Sequence, residues 1–102
     1  MTKKVVQINF KFNVPAEEYE KAVAELVSQF AALGGLQWKI WIINADNKEA
    51  GGIYLFEDDA SVQAYLKGEL AAGLKAHPAL TDLSVKQFDV MEELTAATRG
   101  PV

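Results

Sequence analysis

Apolar residues between Leu36 and Phe56 fall on both parities of an extended chain, in two runs joined by a polar link. In the first run Trp38, Ile40 and Ile42 oppose Lys39, Trp41 and Ile43; in the second Ile53 and Leu55 oppose Tyr54 and Phe56. Side chains alternate across a strand, so neither face of either segment reads as water-facing. The link of Asn44, Asp46, Asn47, Lys48 and Glu49 suits antiparallel neighbours and is too short for a parallel crossover. The pattern predicts a hairpin that needs cover on both faces.

The flanking segments supply part of that cover. From Val5 to Phe12, Val6, Ile8, Phe10 and Phe12 point one way, and Val5, Gln7, Asn9 and Lys11 the other, which predicts a first strand with one wholly apolar face. Asn13 and Pro15 then open a helix whose first turn carries Glu17, Glu18 and Glu20, and Tyr19, Ala22, Val23, Leu26, Val27, Phe30 and Leu33 recur as one amphipathic stripe. Gly34 and Gly35 stop it. Glu57, Asp58, Asp59, Ala60 and Ser61 read as the capped entrance of a second helix, with Val62, Tyr65, Leu66, Leu70 and Leu74 as its buried stripe and Gly68 and Gly73 as weak points. His77 before Pro78 ends that helix in extended backbone. A last strand is expected over Leu83 to Val90, Leu83 and Val85 opposing Phe88 and Val90, followed by an extended tail from Met91 to Val102 suited to lie on a partner subunit. Gly51 and Gly52 mark a bulge or a close approach of backbones.

Strand, helix, strand, strand, helix, strand is the α+β, ferredoxin-like βαββαβ arrangement: a four-stranded antiparallel sheet with both helices on one face, here as a single domain over residues 1–102. The two-sided apolar hairpin would leave a large greasy patch on an isolated copy, so the expected partner is the chain itself, as a homodimer packing sheet against sheet. Cysteine is absent and His77 is the lone histidine, which excludes thiolate chemistry, disulfides and a multi-histidine metal site within one chain. A net charge of -4, with lysines scattered among glutamates, argues against nucleic acid, and no apolar run approaches the roughly 20 residues of a membrane span. The chain is expected to be soluble and cytoplasmic.

The segments FKFNVP, LQWKIWI and EAGGIYLFEDDASVQAYL resemble the YdhR family of mono-oxygenases over nearly the whole chain. That family is similar in fold to the antibiotic-biosynthesis mono-oxygenases, dimeric α+β barrels whose pocket lies between sheet and helices. The resemblance implies oxygenation of a small aromatic, phenolic or quinol-like ligand with neither metal nor other cofactor, because a deprotonated, electron-rich substrate can itself reduce dioxygen in a dry cavity. Such a site calls for aromatic walls and a few polar groups. Trp38, Tyr54, Tyr65 and Asn9 are the catalytic candidates, with Trp41 and Phe56 as further walls and Lys39, Asn44 and His77 as further polar groups.

Each candidate also has a structural role open to it. The tryptophans can serve core and interface, the tyrosines can donate to backbone carbonyls, Asn9 lies on the mixed parity of its strand, Lys39 suits a salt bridge at a sheet edge, and His77 suits a solvated loop. A haem-degrading branch of the same superfamily uses a first-strand asparagine with a histidine and a tryptophan near the second helix; Asn9 and His77 match two of these, but Asp58 to Pro78 contains no tryptophan. The alternatives to an oxygenase are a non-catalytic dimeric small-molecule-binding or stress-response protein and an isomerase or cyclase of polyketide-like compounds.

Overall fold

A computed structural model describes residues 2–102. Four strands, β1 (Lys4–Phe12), β2 (Leu36–Asn44), β3 (Glu49–Phe56) and β4 (Leu80–Asp89), form one antiparallel sheet in the order β2-β3-β1-β4. Between β1 and β2 run α1 (Ala16–Ala24) and α2 (Val27–Ala31); between β3 and β4 run α3 (Asp59–Leu66) and α4 (Glu69–Ala76). The ferredoxin-like βαββαβ order is therefore present, with α5 (Glu92–Ala97) added after β4.

Register fixes which side chains face the helices. Val6 pairs with Tyr54, Ile8 with Gly52 and Phe10 with Ala50, and across the next ladder Lys39 pairs with Tyr54 and Trp41 with Gly52, so all of these share one face. Val6, Ile8, Phe10, Phe12, Tyr54 and Phe56 are buried there with Tyr19, Phe30, Val62, Tyr65 and Ala71 from the helices, forming one core. Trp38, Ile40 and Ile42 share the opposite face with Ile53 and Leu55. The two parities expected of the hairpin are those observed.

The helical layer stops short of the sheet's edge. Trp41 and Ile43 point toward the helices yet keep 37% and 43% of their surface exposed, because β2 is the outermost strand. On the other face Ile40 of β2 and Phe88 of β4, at opposite edges of the sheet, are 49% and 48% exposed.

Four local features differ from expectation or refine it. The first helical stripe is broken into α1 and α2 by a tightened turn in which the Leu26 amide donates to the Val23 carbonyl at 2.9 Å, which lets Tyr19 and Phe30 both reach the twisted sheet. The second stripe divides at Gly68, while Gly73 lies inside α4. The register shifts fall at Leu36/Trp38 and Asn9/Lys11 and not at the glycine pair. Gly51 instead marks a close approach: a Cβ there would sit 1.8 Å from the Ile8 carbonyl oxygen.

The C-terminal segment is not extended. Glu92 and Glu93 occupy the first turn of α5, Thr98 Oγ1 donates back to the Leu94 carbonyl, and the chain reverses at Arg99 (φ 66°). It returns across its own sheet, where Trp38 Nε1 donates to the Pro101 carbonyl at 2.9 Å and Leu55 is fully buried. Among the described residues no helix is long and apolar enough to cross a membrane.

Candidate functional site

Between α1 and α4 the helical layer opens into a groove of about 270 Å³, lined by apolar side chains such as Val23, Leu26 and Leu74, with Glu18, Glu25 and His77 at its rim. Its inner wall of Tyr19, Val23, Leu26 and Leu74 is shared with a narrower slot that descends to Phe30, Lys39, Trp41, Gly51 and Tyr54 on the sheet. The slot itself holds about 10 Å³, space for roughly one water, so any ring must sit mainly in the groove and direct one edge atom inward. At this size the groove matches the small end of ligand pockets, roughly 300 Å³. A wider depression of about 430 Å³ lies beside Gly35 and Ser61, but it is shallow, and its carboxylate Asp58 is engaged as a helix cap, accepting from the Ser61 amide at 2.9 Å.

Lys39 is the unusual group at the slot. Its Nζ lies 3.4 Å from the Trp41 ring centroid, 3.5 Å from that of Phe30 and 4.6 Å from that of Tyr54. Among the described residues it makes neither the salt bridge suited to a sheet edge nor any hydrogen bond. Burial without a counter-charge pushes its pKa down from 10.5 to about 7. The ring faces act in the opposite sense by attracting the ammonium, so both protonation states are accessible near neutrality. Gly52 makes the arrangement possible, since a Cβ there would stand 2.7 Å from Lys39 Cε.

Tyr54 and Tyr65 are buried and share a hydroxyl to hydroxyl hydrogen bond of 2.9 Å. Tyr54 forms part of the slot floor, and Tyr65 stands behind it on α3. Burial raises the pKa of both, and it pushes that of Tyr19 up to about 12. All three phenols therefore stay neutral at pH values where Lys39 titrates.

The four sequence candidates are not brought together. Tyr54 and Tyr65 meet, whereas Trp38 and Asn9 lie on the opposite face, Trp38 bound to Pro101 and Asn9 accepting from Gln7 Nε2 at 3.0 Å. Asn44 caps the β2–β3 turn, its Oδ1 accepting from the Asn47 amide. His77 is exposed at the groove rim, and its Nδ1 accepts from the Ala79 amide at 3.1 Å. Asn9 and His77 are thus separated by the sheet, and they do not fit a shared haem pocket. Phe30, which joins Trp41, Tyr54 and Tyr65 at centroid distances of 5.3, 6.1 and 6.1 Å, stood out in the sequence only as one position of a helical stripe. The available sign of the cage was the i, i+2 pairing of Lys39 with Trp41 on one strand face.

Residues 5–101 match the model of a protein family described as "Putative mono-oxygenase ydhR". No curated protein sequence matches the chain significantly. Among solved structures, SnoaB, a cofactor-independent oxygenase from Streptomyces nogalater, is 16% identical with a TM-score of 0.72, over 88% of this chain and 94% of its own. A dimeric ferredoxin-like protein of unknown function from Thermobifida fusca is 20% identical with a TM-score of 0.68, over 87% and 92%. The heme-degrader MhuD from Mycobacterium tuberculosis, solved with two hemes in its active site, is 24% identical with a TM-score of 0.65, over 85% and 95%. At these identities the likeness is one of fold.

The tyrosine pair yields a direct energetic expectation. Tyr54→Phe and Tyr65→Phe each strand a buried hydroxyl and should cost about 1–2 kcal/mol, while the double variant should cost about 1 kcal/mol less than their sum. Urea unfolding of the four proteins measures this; strict additivity would contradict a buried hydroxyl pair.

Proposed function

This chain belongs to the ydhR family, and from that premise we propose that it is a cofactor-independent mono-oxygenase of a small aromatic, phenolic or quinol-like substrate held between sheet and helices. The observation that carries this reading is the continuity of an apolar groove with a slot whose floor is aromatic. A flat, electron-rich ring gains burial and edge or face contacts there, while a hydroxyl or reactive carbon at its edge reaches the slot.

The chemistry asked of the protein is limited. An activated methylene and one dioxygen become a carbonyl and one water, and the four electrons that reduce dioxygen all come from the substrate carbon. The protein contributes proton removal, orientation and exclusion of bulk water. Tyr54 serves as floor with Tyr65 fixing its hydroxyl, and Trp38 and Asn9 serve the opposite face. The fold shared with SnoaB, itself described as a cofactor-independent oxygenase, supports the same reading.

A second copy completes the molecule. Ile40 and Phe88, on the two edge strands, stay half exposed on the open face of the sheet, and the apolar β2–β3 half of that face is covered in a two-fold dimer, as in the shape neighbour described as dimeric.

Oxygen consumption with a panel of anthrones and hydroquinones tests the activity: uptake of one dioxygen per substrate, above the uncatalysed rate, is expected. Turnover without oxygen would point to an isomerase, and saturable binding with no turnover to a binding protein; either result removes the oxygenase. Sedimentation at micromolar concentration should give twice the chain mass of 11.2 kDa, and Ile40→Lys should shift it toward one; a monomeric wild type would reject the sheet-to-sheet dimer.

A further inference from the structure

We infer that Lys39 is the base of this site, taking the proton from a phenolic hydroxyl or activated carbon of a ligand seated in the α1–α4 groove and then holding the resulting anion. The inference rests on the oxygenase reading for its substrate class, but the placement of the amine is independent of it. A buried or half-buried lysine ordinarily finds a carboxylate, because an unpaired ammonium is costly to desolvate. Lys39 has none among the described residues; its shaft passes over Gly52, and its amine is set among Phe30, Trp41 and Tyr54. Its pKa of about 7 leaves a large fraction of free amine at neutral pH.

The other groups around the slot do not compete for the role. Tyr19 of α1 and Tyr54 of β3 are phenols held neutral by burial, as is Tyr65 of α3 behind Tyr54. Phe30 of α2, Leu74 of α4 and Phe10 of β1 carry no charge. Glu18, Glu25 and His77 line the groove and are absent from the slot.

The proton steps close on this one residue. The amine removes a proton from the substrate methylene, leaving the electron pair on carbon and an ammonium beside it. Dioxygen adds to the carbanion, forming a C–O bond, and the ammonium protonates the terminal peroxide oxygen to give a hydroperoxide. The amine then takes the second C–H proton as the carbonyl forms and the O–O bond breaks, and the departing hydroxide recovers that proton as water. Carbon is oxidised, dioxygen is reduced, and Lys39 ends as it began. The three ring faces suit this cycle, since they stabilise the transient ammonium without a fixed anion that would hold it permanently charged.

Three readouts test the assignment on the full chain. Titration of the Lys39 ε-carbon by NMR should give a midpoint near 7; a midpoint near the ordinary 10.5 would overturn the proposal. 4-Nitrophenol added at pH 6 should show the absorbance of bound phenolate with wild type and not with Lys39→Met; absence of that signal in wild type, or its persistence in the variant, would also overturn it. With a substrate that supports oxygen uptake, kcat should rise as pH passes through 7, and Lys39→Met should lower kcat at least 100-fold with KM changed little; an unaltered kcat would count against the base. Phenolate formation without oxygen uptake on any substrate would leave Lys39 as a base and remove the oxygenase, so the two failures are distinguishable.

Discussion

A strand that is apolar on both faces has to be covered twice, and the β2–β3 hairpin places that demand on the whole chain. Its inner parity, Tyr54 and Phe56 with the aligned Val6, Ile8 and Phe10 of β1, is met by the α1 to α4 layer and becomes the core. Its outer parity is met only in part, by a C-terminal segment that turns at Arg99 and crosses one end of the sheet to bind Trp38. Because the inner cover ends before β2, the last strand is left with Trp41 half open and Lys39 half buried. The slot beside Lys39 lies at that unfinished margin, and the groove between α1 and α4 shares its wall of Tyr19, Val23, Leu26 and Leu74.

The energetics of the site follow from the same geometry. An amine taken partly out of water loses hydration in its charged form, and without an anion nearby nothing fully restores it. Ring faces return on the order of 1–2 kcal/mol, enough to keep the ammonium accessible but not to fix it. The neighbouring phenols are driven the other way, toward permanent protonation, because the same burial disfavours their anions. One environment thus separates a titrating base from neutral hydrogen-bonding walls, and environments that drive neighbouring titratable groups apart in this way are typical of acid–base sites.

The hairpin's parities, the capped entrance of α3 within Glu57 to Ser61, the end of α4 at His77 and the βαββαβ succession are legible because each rests on local alternation, turn length or a capping residue. The α1–α2 break was not, since Glu25 and Leu26 carry no breaker signal and the turn answers to the twist of a sheet formed elsewhere. The tail differs from the extended segment expected because, ahead of its Arg-Gly-Pro ending, Glu92, Glu93 and two alanines favour a short helix. For the site, residue type groups Trp38 and Asn9 with Tyr54 and Tyr65; Asn9 lies on its strand's mixed parity, but the side on which Trp38 falls relative to Tyr54 depends on the β2–β3 register, which the alternation within each strand does not give. The Lys39 cage depends on Phe30, a residue brought in by tertiary packing alone, and only its strand neighbour Trp41 was visible in advance.

The central claim is that a flat phenolic ligand enters the α1–α4 groove and directs its polar atom to Lys39. Amide and methyl chemical-shift mapping with 1-naphthol tests it most directly. The account predicts saturable shifts confined to Val23, Leu26, Lys39, Trp41 and Leu74. Shifts gathered instead around Trp38, Leu55 and Pro101 beneath the C-terminal segment, or no saturable shifts at all, would contradict it.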